Sequence, residues 1–127
     1  MPTLERAGIE GIVTLSGFSG NGFRVAQAVY PDGVIIWPEA AEGWAPPAFE
    51  ALSPDNFAVL EKADPPLDLL LIGTGSRLRR PARTLADAFA ARGIGIEPMD
   101  SRAAARTYNL LAGEGRRVGA ALYPLVA

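Results

Sequence analysis

Histidine and cysteine are both absent from the 127 residues, and lysine occurs once, at Lys62. Without either residue the usual zinc and copper ligand sets cannot be assembled. Disulfides, thiolate nucleophiles and histidine general bases are excluded as well. A Schiff-base or phosphate-loop lysine could only be Lys62. No apolar run reaches the length of a bilayer span, because Leu67–Ile72 already contains Asp68. Met1–Glu5 has neither a basic start nor an apolar stretch, so no signal peptide or targeting segment is expected and the cytoplasm is the expected compartment. Bulk nucleic-acid binding does not suit a net charge of −2.

What is present is apolar: 49% hydrophobic residues and a mean hydropathy of +0.15. That suffices for one domain, residues 1–127, with a single core. Leu67–Gly75 is the organising stretch, a nearly unbroken apolar run between Pro65-Pro66 and the Gly73 turn. It reads as a sheet strand covered on both faces. Downstream, Arg80-Pro81 opens a helix through Arg92 with Leu85, Ala88 and Phe89 as its buried stripe, stopped by Gly93. Ile94–Ile96 is a short strand. Asp100-Ser101 cap a second helix, with Ala103, Ala104, Thr107, Leu110 and Leu111 largely on one side, ending at Gly113. Val118–Tyr123 is the last strand. This alternation is a βαβαβ half, hence an α/β fold.

Upstream patterning is weaker. Ile9, Gly11 and Val13 suggest an edge strand, and Gly17–Gly22 a mobile loop. Phe23–Tyr30 alternates in polarity, Pro31-Asp32-Gly33 has turn chemistry, and Val34–Trp37 returns, which predicts a β-hairpin over Phe23–Trp37. Pro38–Leu52 is expected to be irregular surface around Trp44. Ser53-Pro54-Asp55 starts a short helix whose apolar face is Phe57 and Leu60, ended by Asp64-Pro65-Pro66.

Three constellations carry candidate chemistry. Gly73, Thr74, Gly75 and Ser76 lie at the carboxyl end of the core strand, where α/β sheets bind ligands, and Arg77, Arg79, Arg80 and Arg83 follow. An anionic ligand (phosphate, carboxylate or nucleotide) fits arginine forks there. The other reading is a plain tight turn with arginines solvating a helix start, since glycine turns after strands are common, although cations there oppose the helix dipole. Dinucleotide binding would use Gly73, Gly75 and Glu97, but Leu78 stands where the third glycine belongs and Pro81 delays the helix. The second constellation, Arg106–Asn109 with Glu114–Arg117, is polar. It supplies no nucleophile–base pair, because Ser76 and Ser101 lack a histidine. Asp100 and Glu114 could act as acid or base, or simply solvate a face, while Thr107, Tyr108 and Asn109 suit backbone satisfaction around a packed helix. The third is Trp37, Trp44 and the prolines between them, either a protein-binding surface or, for Trp44, a ring folded over the sheet edge.

Leu70–Gly75, Gly95–Asp100, Ala105–Asn109, Glu114–Arg116 and Val118–Pro124, with Gly22–Val25 and the Trp44 loop, resemble a small domain-of-unknown-function family. Its mitochondrial branch is assembly factor 3 of respiratory complex I, the ubiquinone-reducing NADH dehydrogenase. The missing targeting segment fits a bacterial, single-domain member. The resemblance implies an α/β fold with a mixed central sheet. No enzymatic activity is established for that family. With histidine, cysteine and a motif-borne nucleophile missing, the expectation is a non-catalytic binding module without catalytic residues, metal or cofactor. The alternative is a small anionic-ligand binder or an enzyme using the Gly73–Ser76 turn. The partners the resemblance implies are proteins, namely NADH dehydrogenase subunits or assembly proteins, with no nucleic-acid binding and no membrane insertion. Gly73, Gly75, Arg106, Asn109, Glu114 and Arg116 fall on family-motif positions to which no chemical role attaches.

Overall fold

The computed structural model describes residues 11–126. Eight strands occur in them: β1 (Gly17–Ser19), β2 (Gly22–Val25), β3 (Ala28–Tyr30), β4 (Val34–Trp37), β5 (Ala40–Gly43), β6 (Leu69–Gly73), β7 (Gly95–Met99) and β8 (Val118–Leu122). Two α-helices, α1 (Arg83–Ala90) and α2 (Ser101–Gly113), join two 3-10 segments, Phe49–Ala51 and Pro54–Lys62.

The expected βαβαβ half is present, and the sheet built on it is mixed, ordered β5-β4-β8-β6-β7. β6 runs parallel to β7 and to β8, whereas β4 lies antiparallel to β5 and β8. The step from β6 to β7 goes outward, and the step from β7 to β8 returns across β6. Right-handed crossovers of opposite direction put their helices on opposite faces. Side-chain alternation along the strands agrees. Leu71, Val118, Ala120 and Leu122 meet α2 through Ala104, Ala105, Tyr108 and Ala112. Leu70, Ile72 and Ala121 face the other core, with Leu85 and Phe89 of α1 and Phe57 and Leu60 of the 3-10 helix.

The amino-terminal region departs from expectation. Phe23–Trp37 is not one hairpin. The chain turns at Ala26-Gln27, with Ala26 at φ +52°, so β2 pairs with β3 inside a separate sheet ordered β1-β2-β3. β4 belongs to the five-stranded sheet, which makes Pro31–Gly33 a crossing between sheets. Phe23 and Val25 dictate this arrangement, since both are buried in the α2-side core, leaving Ala28 and Val29 outside. Gly17–Gly22 is a tight hairpin of β1 and β2 turning at Gly20-Asn21, and no loop is left there. Gly11 and Val13 lie outside any strand, and Ile9 lies outside the described residues. Pro38–Leu52 is not wholly irregular, because Ala40–Gly43 pairs along β4 as an edge strand and Phe49–Ala51 forms a 3-10 turn.

Helix limits shift too. The helix expected from Arg80 begins only at Arg83. A residue before proline is driven extended, and the Arg79 N–H and side chain are tied back to Thr74. Gly93, at φ +80°, ends this region as expected. On α2 the Asp100 carboxylate caps the Ala103 N–H at 2.9 Å. The face that packs is Ser101, Ala104, Ala105, Tyr108 and Ala112, and Leu110 is 61% exposed. Alanines let the helix lie close on β6 and β8, so the bulkier leucine rotates outward.

Candidate functional site

The Gly73–Ser76 turn lies where the ends of β6, β7 and β8 meet the start of α2, and it is closed by a dense hydrogen-bond knot. Thr74 and Ser101 are fully buried. The Tyr123 N–H donates to Gly73 O at 2.9 Å and the Thr74 N–H to Met99 O at 2.9 Å. The Ser101 N–H reaches Gly75 O at 2.8 Å. In return the Gly75 N–H donates to Ser101 Oγ at 2.8 Å, and that hydroxyl donates to Tyr123 O at 2.7 Å. The Thr74 hydroxyl donates to Arg77 O at 2.6 Å and accepts from the Arg79 N–H at 3.1 Å. The N–H groups of Thr74, Gly75 and Arg79 are thus taken internally. A ligand at this turn would meet the exposed side chains of Ser76, Arg77 and Arg80. The closeness of the turn to α2 explains Gly73, where a Cβ would lie 2.7 Å from Leu122 Cδ2 and 2.9 Å from Ser101 Oγ.

Arg79 turns inward, its guanidinium 4.3 Å from the Phe49 ring centroid and 5.8 Å from that of Tyr123. Trp44 is half-buried, 5.3 Å from Tyr123 and 5.7 Å from Phe57, centroid to centroid. The Tyr123 hydroxyl donates to Pro47 O at 2.8 Å, and burial pushes its pKa up to about 12. Trp44 is therefore a packed, half-buried ring, and Trp37 in β4 is buried. Glu97 and Leu78 are exposed, and α1 begins well past the turn, so the dinucleotide geometry of a glycine turn opening directly into a helix is not formed.

The second constellation resolves into three tasks. Asn109 holds the strandless segment at Leu15 as a backbone would: the Leu15 N–H donates to Asn109 Oδ1 at 2.9 Å, and Asn109 Nδ2 donates to Leu15 O at 2.8 Å. Tyr108 OH adds a bond to Val13 O at 2.8 Å, and burial raises that phenol's pKa well above its usual value. Glu114, Gly115 and Arg116 stop α2. Gly115 sits at φ +87°, its N–H donates to Ala112 O and the Arg116 N–H to Leu111 O, which satisfies the last carbonyls. Arg117 forks onto Glu39 at 2.6 and 3.0 Å and also donates to Pro65 O, and the guanidinium bonds hold the Glu39 carboxyl below its usual pKa. Arg106 is exposed at the rim of a groove of about 210 Å³ beside Leu15 and Phe18.

Asn109→Ala is expected to cost about 1–3 kcal/mol, two hydrogen bonds of ordinary net worth. Hydrogen exchange at the Leu15 amide should accelerate in parallel. An unchanged denaturation midpoint with full Leu15 protection would remove the clamp reading.

These features define a class of protein: a mixed five-stranded α/β sheet with a small antiparallel annex, organised around a sealed glycine turn. Residues 15–123 match the family described as "Protein of unknown function (DUF498/DUF598)", and the chain belongs to that family. An uncharacterized protein of Rhodobacter capsulatus is 39% identical over 118 residues, covering 93% of this chain and 90% of the relative. Human NADH dehydrogenase [ubiquinone] 1 alpha subcomplex assembly factor 3 is 33% identical over 110 residues, covering 85% of this chain and 56% of that protein. The chain thus spans little more than half the length of that human relative. A crystal structure of a Bordetella parapertussis protein superposes with a TM-score of 0.80 at 30% identity, covering 90% of this chain and 97% of that one. The solution structure of a Bordetella pertussis protein described as a Mth938-like domain gives 0.78 at 26% identity, covering 99% and 92%.

Proposed function

We propose that the chain is a non-catalytic protein-contact factor that acts in the cytoplasm during assembly of a respiratory NADH dehydrogenase. The observation that carries this reading is the similarity to complex I assembly factor 3, which extends over 85% of the chain. The chemistry is in keeping with it. The two buried hydroxyls, Thr74 and Ser101, both bond to backbone carbonyls, and neither faces a base. On this reading the contact surface is built from the exposed part of the Ser76–Arg83 loop.

The test is deletion of the gene in its native cells, followed by native-gel activity staining of membranes for NADH dehydrogenase. The expected result is loss or marked reduction of the assembled complex, restored by a plasmid copy. Undiminished complex in the deletion strain would reject the proposal.

A further inference from the structure

We infer that the loop Ser76–Arg83 docks an acidic segment of the partner protein, with Leu78 as its apolar contact. The inference rests on the protein-contact reading above and names the chemistry of the partner.

Between Asp68 and Asp87 the sequence contains four arginines and no acid, in a chain whose net charge is −2. Only Arg79 is used by the fold, stacked on Phe49 and bonded to Thr74. Arg77, Arg80 and Arg83 are exposed, and among the described residues none of them forms an ion pair, whereas Lys62, Arg92 and Arg117 each do. Their placement works against the fold. Arg83 is the first residue of α1, whose opening turn has no acid and whose Ala82 cap makes no side-chain bond, so its charge opposes the helix dipole. Like charges crowded into one loop also repel. An opposite charge brought from outside relieves both effects.

Leu78, 47% exposed, stands among these arginines. Beside them is a groove of about 240 Å³ lined by Phe49, Glu50, Leu52, Arg80 and Ala82. It can take an apolar side chain while Arg80 meets a neighbouring carboxylate. Glu50 is the one acid in that lining and lies beyond ion-pair distance of Arg80. The loop is pre-organised by the Thr74 bonds to Arg77 and Arg79, which lowers the ordering cost of binding. Arginine is enriched where protein interfaces concentrate their energy. A nucleic acid would want an open aromatic face, and Phe49 is covered by Arg79. A membrane would want a broad apolar face, and here there is one leucine.

The probe is a short fluorescein-labelled peptide alternating glutamate and leucine, titrated with the full chain and followed by anisotropy. Saturable binding is expected, weakening as salt rises from about 0.1 to about 1 M, where the screening length falls to about 3 Å. The triple variant R77E/R80E/R83E should bind roughly ten-fold or more weakly, three exposed ion pairs having become repulsions. Its melting temperature should stay level or rise, because glutamate suits the first turn of α1. Leu78→Ser should weaken binding without changing its salt dependence. Equal binding by the triple variant would overturn the inference. So would binding of phosphatidylglycerol vesicles or inorganic phosphate in place of the peptide. Arginine-dependent peptide binding alongside normal NADH dehydrogenase assembly in the deletion strain would retain this surface and discard the assembly role. Full rescue of a deletion phenotype by the triple variant would do the reverse.

Discussion

Truncating Phe57 to alanine is expected to lower the unfolding free energy by about 3–5 kcal/mol, the range for a buried phenylalanine. The ring is 2% exposed and links two others, 5.7 Å from Trp44 and 5.6 Å edge-on from Phe89, centroid to centroid. Through it the 3-10 helix Pro54–Lys62 is fixed to α1 and to the Trp44 loop. The backbone of that helix is bent at Phe57 itself, and its buried residues are Phe57 and Leu60. Against a typical total of about 5–15 kcal/mol the loss is a large share. Urea unfolding followed by tryptophan fluorescence reads it, with Trp44 reporting locally. Phe57→Leu should recover more than half. A loss below about 1 kcal/mol, the scale of an ordinary surface effect, would show that neighbouring rings close the gap and that the aromatic chain is not a strut.

Gly22→Ala is expected to be nearly as damaging, about 3 kcal/mol, the upper end for forcing a group into a packed site. A Cβ at that position would lie 2.5 Å from Pro31 Cα and closer still to Tyr30 O. These are backbone atoms at the crossing from the small sheet into β4, so no side chain can swing aside. Either β2 separates from β3 or the entry to β4 moves. Gly113→Ala is the control. Nothing lies within 4 Å of a Cβ there, and alanine in a helix is favoured over glycine by about 0.5–1 kcal/mol. Paired denaturation curves decide the matter. If Gly22→Ala unfolds at the wild-type midpoint, the crossing yields to the added methyl and the prediction fails.

Where the sequence could be read, the physics was local. Leu67–Gly75 announces β6 by its apolar run, Asp100 announces α2 by its capping carboxylate, and Gly93 announces a stop by its left-handed backbone. The amino-terminal third hides its turns. Ala26 occupies a positive φ that alanine does not advertise, so the alternation from Phe23 to Tyr30 reads as one strand. The strong turn signal Pro31-Asp32-Gly33 marks a change of sheet instead of a hairpin. β5 is Ala-Ala-Glu-Gly, with no β-branched or aromatic residue to suggest a strand. On α2 hydrophobicity misleads, because contact with the sheet selects small residues and leaves Leu110 outside. The candidate turn is legible from its glycines, but the knot that seals it joins Gly75 to Ser101 and Ser101 to Tyr123. No spacing rule connects residues so far apart. Asn109 was legible as a backbone-satisfying residue, though its partner Leu15 was not.

The position of β8 has a consequence for how the protein comes into being. It is the middle strand of the five and the last of the eight in chain order. Until it arrives, β4 and β5 form one fragment and β6 and β7 another, with no direct pairing between them. Both fragments present open, apolar edges to the cell. Contacts of such long sequence separation make for slow folding. During synthesis the sheet stays open until Val118–Leu122 clears the ribosome, and a chain cut short before that strand leaves two unzipped edges inviting aggregation.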